Sequence, residues 1–370
     1  MRIGILTSSR ADYGIYKPLL VKLNQDSYFI LEVIAFGSHL SVSNGFTVNL
    51  IEEDGFKTIH KISSLLSNDD EQSISTSYGL TALKFADFWK RNSYDLVFCL
   101  GDRFEMSAAV QAGIPFGIKF AHIHGGETTL GAFDNIYRHQ ISLASFFHFT
   151  AASQFTSKVL QLIGDNDRVH TVGALSLDGV KSFLPIEKKI FYEKYSIPNF
   201  DFVLITFHPE TILPELNFSH ANEMRKALEQ IATNFFLVIT MPNADTMGSI
   251  FRCEIEKLKK KFPTKVLCVE NFGKQNYFSA MYYCKFLIGN TSSGILEAAS
   301  FGKYVVNVGD RQKGRLQSEN VRDAEFKQQS IIEVVSQVTK LGDFNGENKY
   351  YQEGASLRII EVIKKYYNEL

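Results

Sequence analysis

Gly289-Asn290-Thr291-Ser292-Ser293-Gly294-Ile295-Leu296-Glu297 is the stretch on which the fold turns. The apolar run 285–288 before it is short enough for a buried strand. Behind it, 295–301 has a helical pattern and 304–308 reads as a second buried strand. A strand, a Gly/Ser/Thr turn and a helix start leave several backbone N–H groups aimed at one spot. Thr291, Ser292 and Ser293 add hydroxyls there, and such a spot attracts phosphate. Gly309-Asp310-Arg311-Gln312-Lys313-Gly314-Arg315 follows the second strand, so three cations can lie beside the same pocket. An ordinary capped helix with a solvated basic loop explains this stretch as well, and the rest of the chain decides.

Working outward, short apolar runs at 3–6, 31–36, 96–100, 118–123, 147–150 and 169–172 read as strands. Between them lie helical patterns at 13–23, 75–89, 104–112, 135–144 and 154–162. The segment 176–198 turns charged and carries Pro185 and Pro198, which marks a boundary. The alternation then restarts, with strands at 202–207, 235–240 and 265–269 and helices at 221–232, 250–260 and 276–282. After the opening stretch come helices at 331–341 and 356–367. Strand–helix alternation at this spacing predicts an α/β protein with parallel sheets, in two doubly wound halves spanning 1–176 and 177–354. Ligand loops then follow the strand C-termini, and the cleft between the halves is the expected site.

Composition agrees. At 370 residues the chain is long for one core, which argues for two domains. It is 45% hydrophobic and 21% charged, ordinary for a globular protein. A net charge of −1 supplies no field to attract nucleic acid or an anionic membrane, so neither is expected as a partner. Cys99, Cys253, Cys268 and Cys284 are scattered without a CxxC pair, which excludes a zinc ribbon and a disulfide framework. Buried, reduced thiols are expected. The apolar run at the N-terminus is too short for a signal peptide, and no run reaches the length of a membrane span. A soluble, cytoplasmic protein is the expectation.

Strand one ends in Ser8-Ser9-Arg10-Ala11-Asp12-Tyr13-Gly14, which lacks the GxGxxG of nicotinamide cofactors. Arg10 at the strand tip is either an anion ligand or a surface arginine capped by Asp12. In Leu100-Gly101-Asp102-Arg103-Phe104-Glu105, Asp102 is either a helix cap or a site residue. Ala121-His122-Ile123-His124-Gly125-Gly126-Glu127 is the densest chemical stretch. Its two histidines are two residues apart on a strand and so expected to share a face, with the glycines turning Glu127 towards them. Asp134 heads the next helix, and Arg138 and His139 follow one turn on. A His-x-His beside carboxylates can ligate a metal. Nothing else in the chain resembles a dedicated metal site, and several titratable groups round one pocket suit proton transfer better. His208, stopped by Pro209 at the first strand tip of the second half, reads as a ligand contact, and Asn243 lies in the matching loop one strand later.

These motifs, SSRADYG, GDRFE, HIHGGE, AFDN with RH behind it, FHP, MPNAD, GNTSSGILEA and NVGDRQKGR, occur in that order within about 2–325. The set resembles the hydrolysing UDP-N-acetylglucosamine 2-epimerases, bacterial enzymes of sialic and legionaminic acid synthesis. They are related to the epimerase half of the animal bifunctional enzyme. The resemblance implies a GT-B architecture of two Rossmann-like domains, with 355–370 crossing back to the first. It implies a homodimer or homotetramer and no nicotinamide or metal cofactor. Carried over, the contacts to UDP fall on Arg10, Arg103, His208, Asn243, Thr291, Ser292, Glu297 and Arg311, joined by Ser293. Glu297 would hold the ribose, and Phe272 with Gly273 would meet the uracil. Asp102 and Asp134 match catalytic acids, and His208 is assigned to both sets. Relatives reading HIEGGE have a glutamate where this chain has His124, so either His124 or Glu127 takes over that proton transfer. Asn135 stands where a second aspartate is frequent.

The implied chemistry is loss of UDP from a UDP-2-acetamido sugar to give a 2-acetamidoglucal. Water then adds at C1 while C2 is protonated from the other face. A non-hydrolysing 2-epimerase, a glycosyltransferase on the same fold and a silent nucleotide-sugar sensor are the alternatives. Arg10-Ala11-Asp12-Tyr13 and Arg311-Gln312-Lys313-Gly314 favour hydrolysis over the first. UDP-N-acetylglucosamine and UDP-N,N′-diacetylbacillosamine both remain open as substrates.

Overall fold

Short runs rich in Val, Ile, Leu and Phe, buried on both faces, form the strands, as parallel sheets covered by helices require. The computed structural model describes residues 1–42, 45–66, 68, 70–130, 134–164, 167–210, 213–242, 248–270 and 272–369. They divide into two compact units. Unit 1 comprises Met1–Glu127, Asp134–Gly179 and Tyr350–Leu370, and unit 2 comprises Thr128–Phe133 and Val180–Lys349.

Unit 1 carries strands β1 (Arg2–Thr7), β2 (Ile30–Phe36), β3 (Ile59–Ile62), β4 (Leu96–Leu100), β5 (Phe120–Ile123), β6 (Phe147–Thr150) and β7 (Val169–Thr171). They form one sheet in the order β3-β2-β1-β4-β5-β6-β7, and each pairing is parallel. Unit 2 carries β8 (Phe202–Thr206), β9 (Phe236–Thr240), β10 (Val266–Val269), β11 (Leu287–Gly289), β12 (Val305–Val308) and β13 (Val321–Ala324). Their order is β10-β9-β8-β11-β12-β13, again parallel throughout. In each sheet the strand order reverses once, between β1 and β4 and between β8 and β11. Diverging crossovers leave the two strand tips at such a switch point uncovered, which is where α/β proteins seat ligands.

Of the four edge strands, β3 and β13 lie outside the expected elements. Ile59-His60-Lys61-Ile62 and Val321-Arg322-Asp323-Ala324 have only partial burial, so neither reads as a continuous apolar run. The boundary segment also holds a helix, Lys188–Tyr195, which inserts Phe191 fully into an aromatic cluster with Phe272 and Tyr283. The final helix, Ala355–Asn368, packs Ile359, Ile360 and Ile363 into the core of unit 1. Its first turn is anchored by Asp178, whose carboxylate accepts from Ser356 and, at 3.1 Å, from Lys22.

The thiols depart partly from expectation. Cys99 and Cys284 are buried, but Cys253 is exposed. The helix Gly248–Lys261 turns Phe251, Ile255 and Leu258 inward, which leaves position 253 on the outer face. No helix among the described residues is long and apolar enough to cross a membrane.

Gly289 ends β11 at φ +146°, and a Cβ there would stand 1.8 Å from the Thr206 carbonyl oxygen. Gly289→Ala forces β8 and β11 apart, and we expect it to destabilise unit 2 by more than about 4 kcal/mol. Thermal unfolding checks this; an unshifted transition would contradict the packing.

Candidate active site

At the β4–β5 edge of unit 1, three polar segments meet. β4 ends at Leu100, and Gly101 turns the chain at φ +76° so that Asp102 leaves the sheet half-buried. The following helix, Phe104–Gly113, has Arg103 as its N-cap without a side-chain bond, so Asp102 does not cap it. Its carboxylate is taken instead by Nη2 of Arg138. That arginine is only 2% exposed, and its Nη1 donates to the His124 carbonyl at 2.7 Å. Asp12 likewise caps backbone rather than Arg10: it forms a capping box with Ser9, and Arg10 stands exposed at the first helical residue.

His122 and His124 do not share a face. β5 ends at Ile123, and His124 adopts φ +66°, which swings its side chain off the strand alternation. His124 Nδ1 lies 2.6 Å from Glu127 Oε1, and both residues are buried. His122 points into the fold. Its Nε2 is 2.8 Å from the Gly101 carbonyl and its Nδ1 3.0 Å from Ser142 Oγ. A carbonyl only accepts, so Nε2–H donates to it and, in the neutral ring, Nδ1 accepts from the serine. Burial pushes the His122 imidazole down to about 3.

The helix Asp134–Ala144 carries Arg138 and Ser142 on its buried face while Ile136 and Leu143 are exposed. Hydropathy alone therefore assigns its inner face wrongly. The available signal was Asp134, Arg138 and Ser142 at i, i+4 and i+8, one face of a helix. Ser142 was missed, and Arg138 and Glu105 were named in the sequence motifs without a role. Glu105 is fully buried and accepts from Arg103 Nε at 2.5 Å.

In unit 2 a neutral amide organises the switch point. Asn290 Oδ1 accepts from His208 N–H at 2.7 Å, and its Nδ2 donates to the His208 carbonyl at 2.8 Å. This clamp joins the tips of β8 and β11. The Asn290 carbonyl accepts from Arg311 Nη1 at 3.0 Å and from Gln312 Nε2 at 2.9 Å. Glu210 Oε1, also missed by sequence reasoning, accepts from the backbone N–H of Asp310 at 2.8 Å and of Arg311 at 3.2 Å. The basic loop is thereby held over the turn, although Lys313 itself is exposed and paired with Asp310.

Thr291 occupies the N-cap of the helix Ser292–Leu296 without bonding it through its side chain. Ser293 Oγ is engaged, 2.6 Å from the buried Tyr277 hydroxyl, whose own titration burial pushes up to about 12. Ser292 is exposed and Glu297 buried at the end of the same helix. The Phe272 ring is buried against Tyr195, with centroids 4.7 Å apart, so only its backbone is available to a ligand. Asn243 lies outside the described residues. No cluster of three metal-ligating side chains occurs among the described residues.

Comparison with known proteins agrees with this layout. The family model described as UDP-N-acetylglucosamine 2-epimerase matches residues 21–364. A Campylobacter jejuni protein named GDP/UDP-N,N′-diacetylbacillosamine 2-epimerase (hydrolyzing) is 34% identical over 326 residues, 88% of this chain and 84% of its own. An Escherichia coli relative named polysialic acid biosynthesis protein P7 is 29% identical, over 99% and 94% of the two chains. The crystal structure of the Neisseria meningitidis UDP-GlcNAc 2-epimerase bound to UDP-GlcNAc superposes with a TM-score of 0.83. It covers 99% of this chain and 100% of that one at 18% identity, and so speaks to the fold.

Burial also pushes His148, beside His122 on β6, down to about 4. The unfolded chain takes up both protons near pH 6.5, the folded chain only near 3 and 4, so acid favours unfolding. Stability should fall as pH drops below about 6.5, by up to about 1.4 kcal/mol per pH unit for each histidine. His148→Leu should lessen that slope, by up to about 1.4 kcal/mol per pH unit, in urea melts taken at several pH values. An unchanged slope would refute it.

Proposed function

The chain belongs to the UDP-N-acetylglucosamine 2-epimerase family, and we propose that it acts as a hydrolysing member, releasing UDP and a free manno-configured 2-acetamido sugar. The observation that carries this reading is the buried Arg138 guanidinium shared by the Asp102 carboxylate and the His124 carbonyl. It holds Asp102 and His124, two candidates for proton transfer, at the neighbouring tips of β4 and β5. The name of the Campylobacter relative supports water as the acceptor. That of the Escherichia coli relative supports a product entering sialic acid synthesis.

The C2 hydrogen of an acetamido sugar is not beside a carbonyl carbon, so direct deprotonation is difficult. Departure of UDP builds positive charge at C1, and this acidifies C2–H. The leaving diphosphate needs cations and dipoles: Arg10, Arg103 and Arg311, with the amides and hydroxyls of Thr291, Ser292 and Ser293. His208 belongs to the same binding set, and Glu297 accepts from the ribose hydroxyls. Asp102, His124, Glu127 and Asp134 supply the proton transfers. Elimination gives the 2-acetamidoglucal; water then adds at C1 as C2 is protonated from the opposite face.

Asp102→Asn should lower UDP release by on the order of 10²-fold or more while UDP binding measured by calorimetry stays within a few-fold. Retained turnover would count against the assignment. Reaction in heavy water should place deuterium at C2 of the released sugar, and product without it excludes the elimination route.

A further inference from the structure

We propose that His124 is the base that removes the C2 proton through Nε2, with Glu127 as the residue that orients its ring. This rests on the 2-epimerase reading above. Four observations carry it. A carboxylate can only accept, so the 2.6 Å contact with Glu127 puts the ring hydrogen on Nδ1 and leaves the lone pair on Nε2. Nε2 is buried and has no hydrogen-bond partner among the described residues, an uncommon state for a buried acceptor and one concentrated at functional sites. The left-handed backbone at φ +66° is unfavourable for histidine and is held from both sides. His124 N–H donates to the Phe149 carbonyl at 3.0 Å, and the His124 carbonyl accepts from Arg138 Nη1 at 2.7 Å. Asp102, by contrast, already accepts from Arg138.

Inversion at C2 requires proton transfers on opposite faces, so two groups are needed. With His124 on one face, Asp102 and Asp134 remain for the other. Neutral Nε2 takes the C2 proton, the C2–H electron pair becomes the C1=C2 bond, and the C1–O pair leaves with UDP. The imidazolium then sheds its proton to water. Hydration adds hydroxyl to C1 and a proton to C2, so one water is consumed for each sugar released. Glu127 balances the charge that His124 acquires, as a carboxylate behind a histidine does in a hydrolase triad.

The charged and titratable groups near this ring are Glu127 on its own loop, Arg138 from the helix, Asp102 behind Arg138, and His122 on β5. The test uses the full-length protein and its His124→Gln, His124→Glu and Glu127→Gln variants. Thermal unfolding and UDP calorimetry confirm folding. UDP release is then followed from UDP-N-acetylglucosamine and from UDP-N,N′-diacetylbacillosamine across about pH 5 to 9. The wild-type rate should fall on the acid side as Nε2 protonates. Glu127→Gln should cut kcat by about 10- to 100-fold at unchanged KM and displace that limb. His124→Gln should cost about 10³-fold or more, and His124→Glu should recover part of this with its limb moved to lower pH. A His124→Gln enzyme within about threefold of wild type overturns the assignment, as does an acid limb that moves in neither Glu127→Gln nor His124→Glu. Wild-type protein that releases UDP from neither sugar sinks the underlying function, and this assignment with it.

Discussion

A buried guanidinium needs a partner, and in unit 1 that requirement organises everything around it. Arg138 is 2% exposed, so an unpaired charge there would cost several kcal/mol. Asp102 meets the charge, and the His124 carbonyl takes a second N–H. Asp102 sits where it does because Gly101 turns β4 in the left-handed region, and the neutral His122 ring ties down the Gly101 carbonyl. Ser142, one turn beyond Arg138, orients that ring in turn. The chain of constraint runs from a helix face through a charge to two strand tips. Removing either member of the ion pair leaves the other desolvated, which costs more than the pair itself contributes.

Unit 2 solves the corresponding problem without charge. The tips of β8 and β11 are joined by the reciprocal amide clamp of Asn290 on His208, and the close packing of Gly289 on Thr206 lets the strands approach. A cation stands in the neighbouring loop, where Arg311 donates to the same turn. A neutral frame with a positive rim suits a ligand that brings its own negative charge.

Much of this was legible in the residues. Apolar runs bounded by turns mark the central strands because those strands are covered on both faces, and β4 and β6 were bounded to the residue. Of the four edge strands, β7 and β10 were legible, but β3 and β13 were not, because their exposed faces admit His60, Lys61, Arg322 and Asp323. The site was legible as motifs and opaque as geometry. His-x-His predicts two rings on one face only while the chain stays extended, and a single left-handed residue at 124 breaks that inference. Arg138 looks like surface on a helix whose isoleucine at 136 and leucine at 143 invite burial, yet the inward face carries Arg138 and Ser142 beside Ile141. Local pattern encodes which face differs from the other. Which of them the sheet selects depends on partners supplied by β4 and β5.

The outward-facing thiol at Cys253 has a practical side. Burial pushes Cys99 and Cys284 up to about 12 and raises Cys268 as well, which suppresses their reactive thiolate. A maleimide dye offered to the native chain should therefore attach at one place, on the solvent side of the helix Gly248–Lys261. That gives an optical reporter on unit 2 without engineering any residue of either switch point.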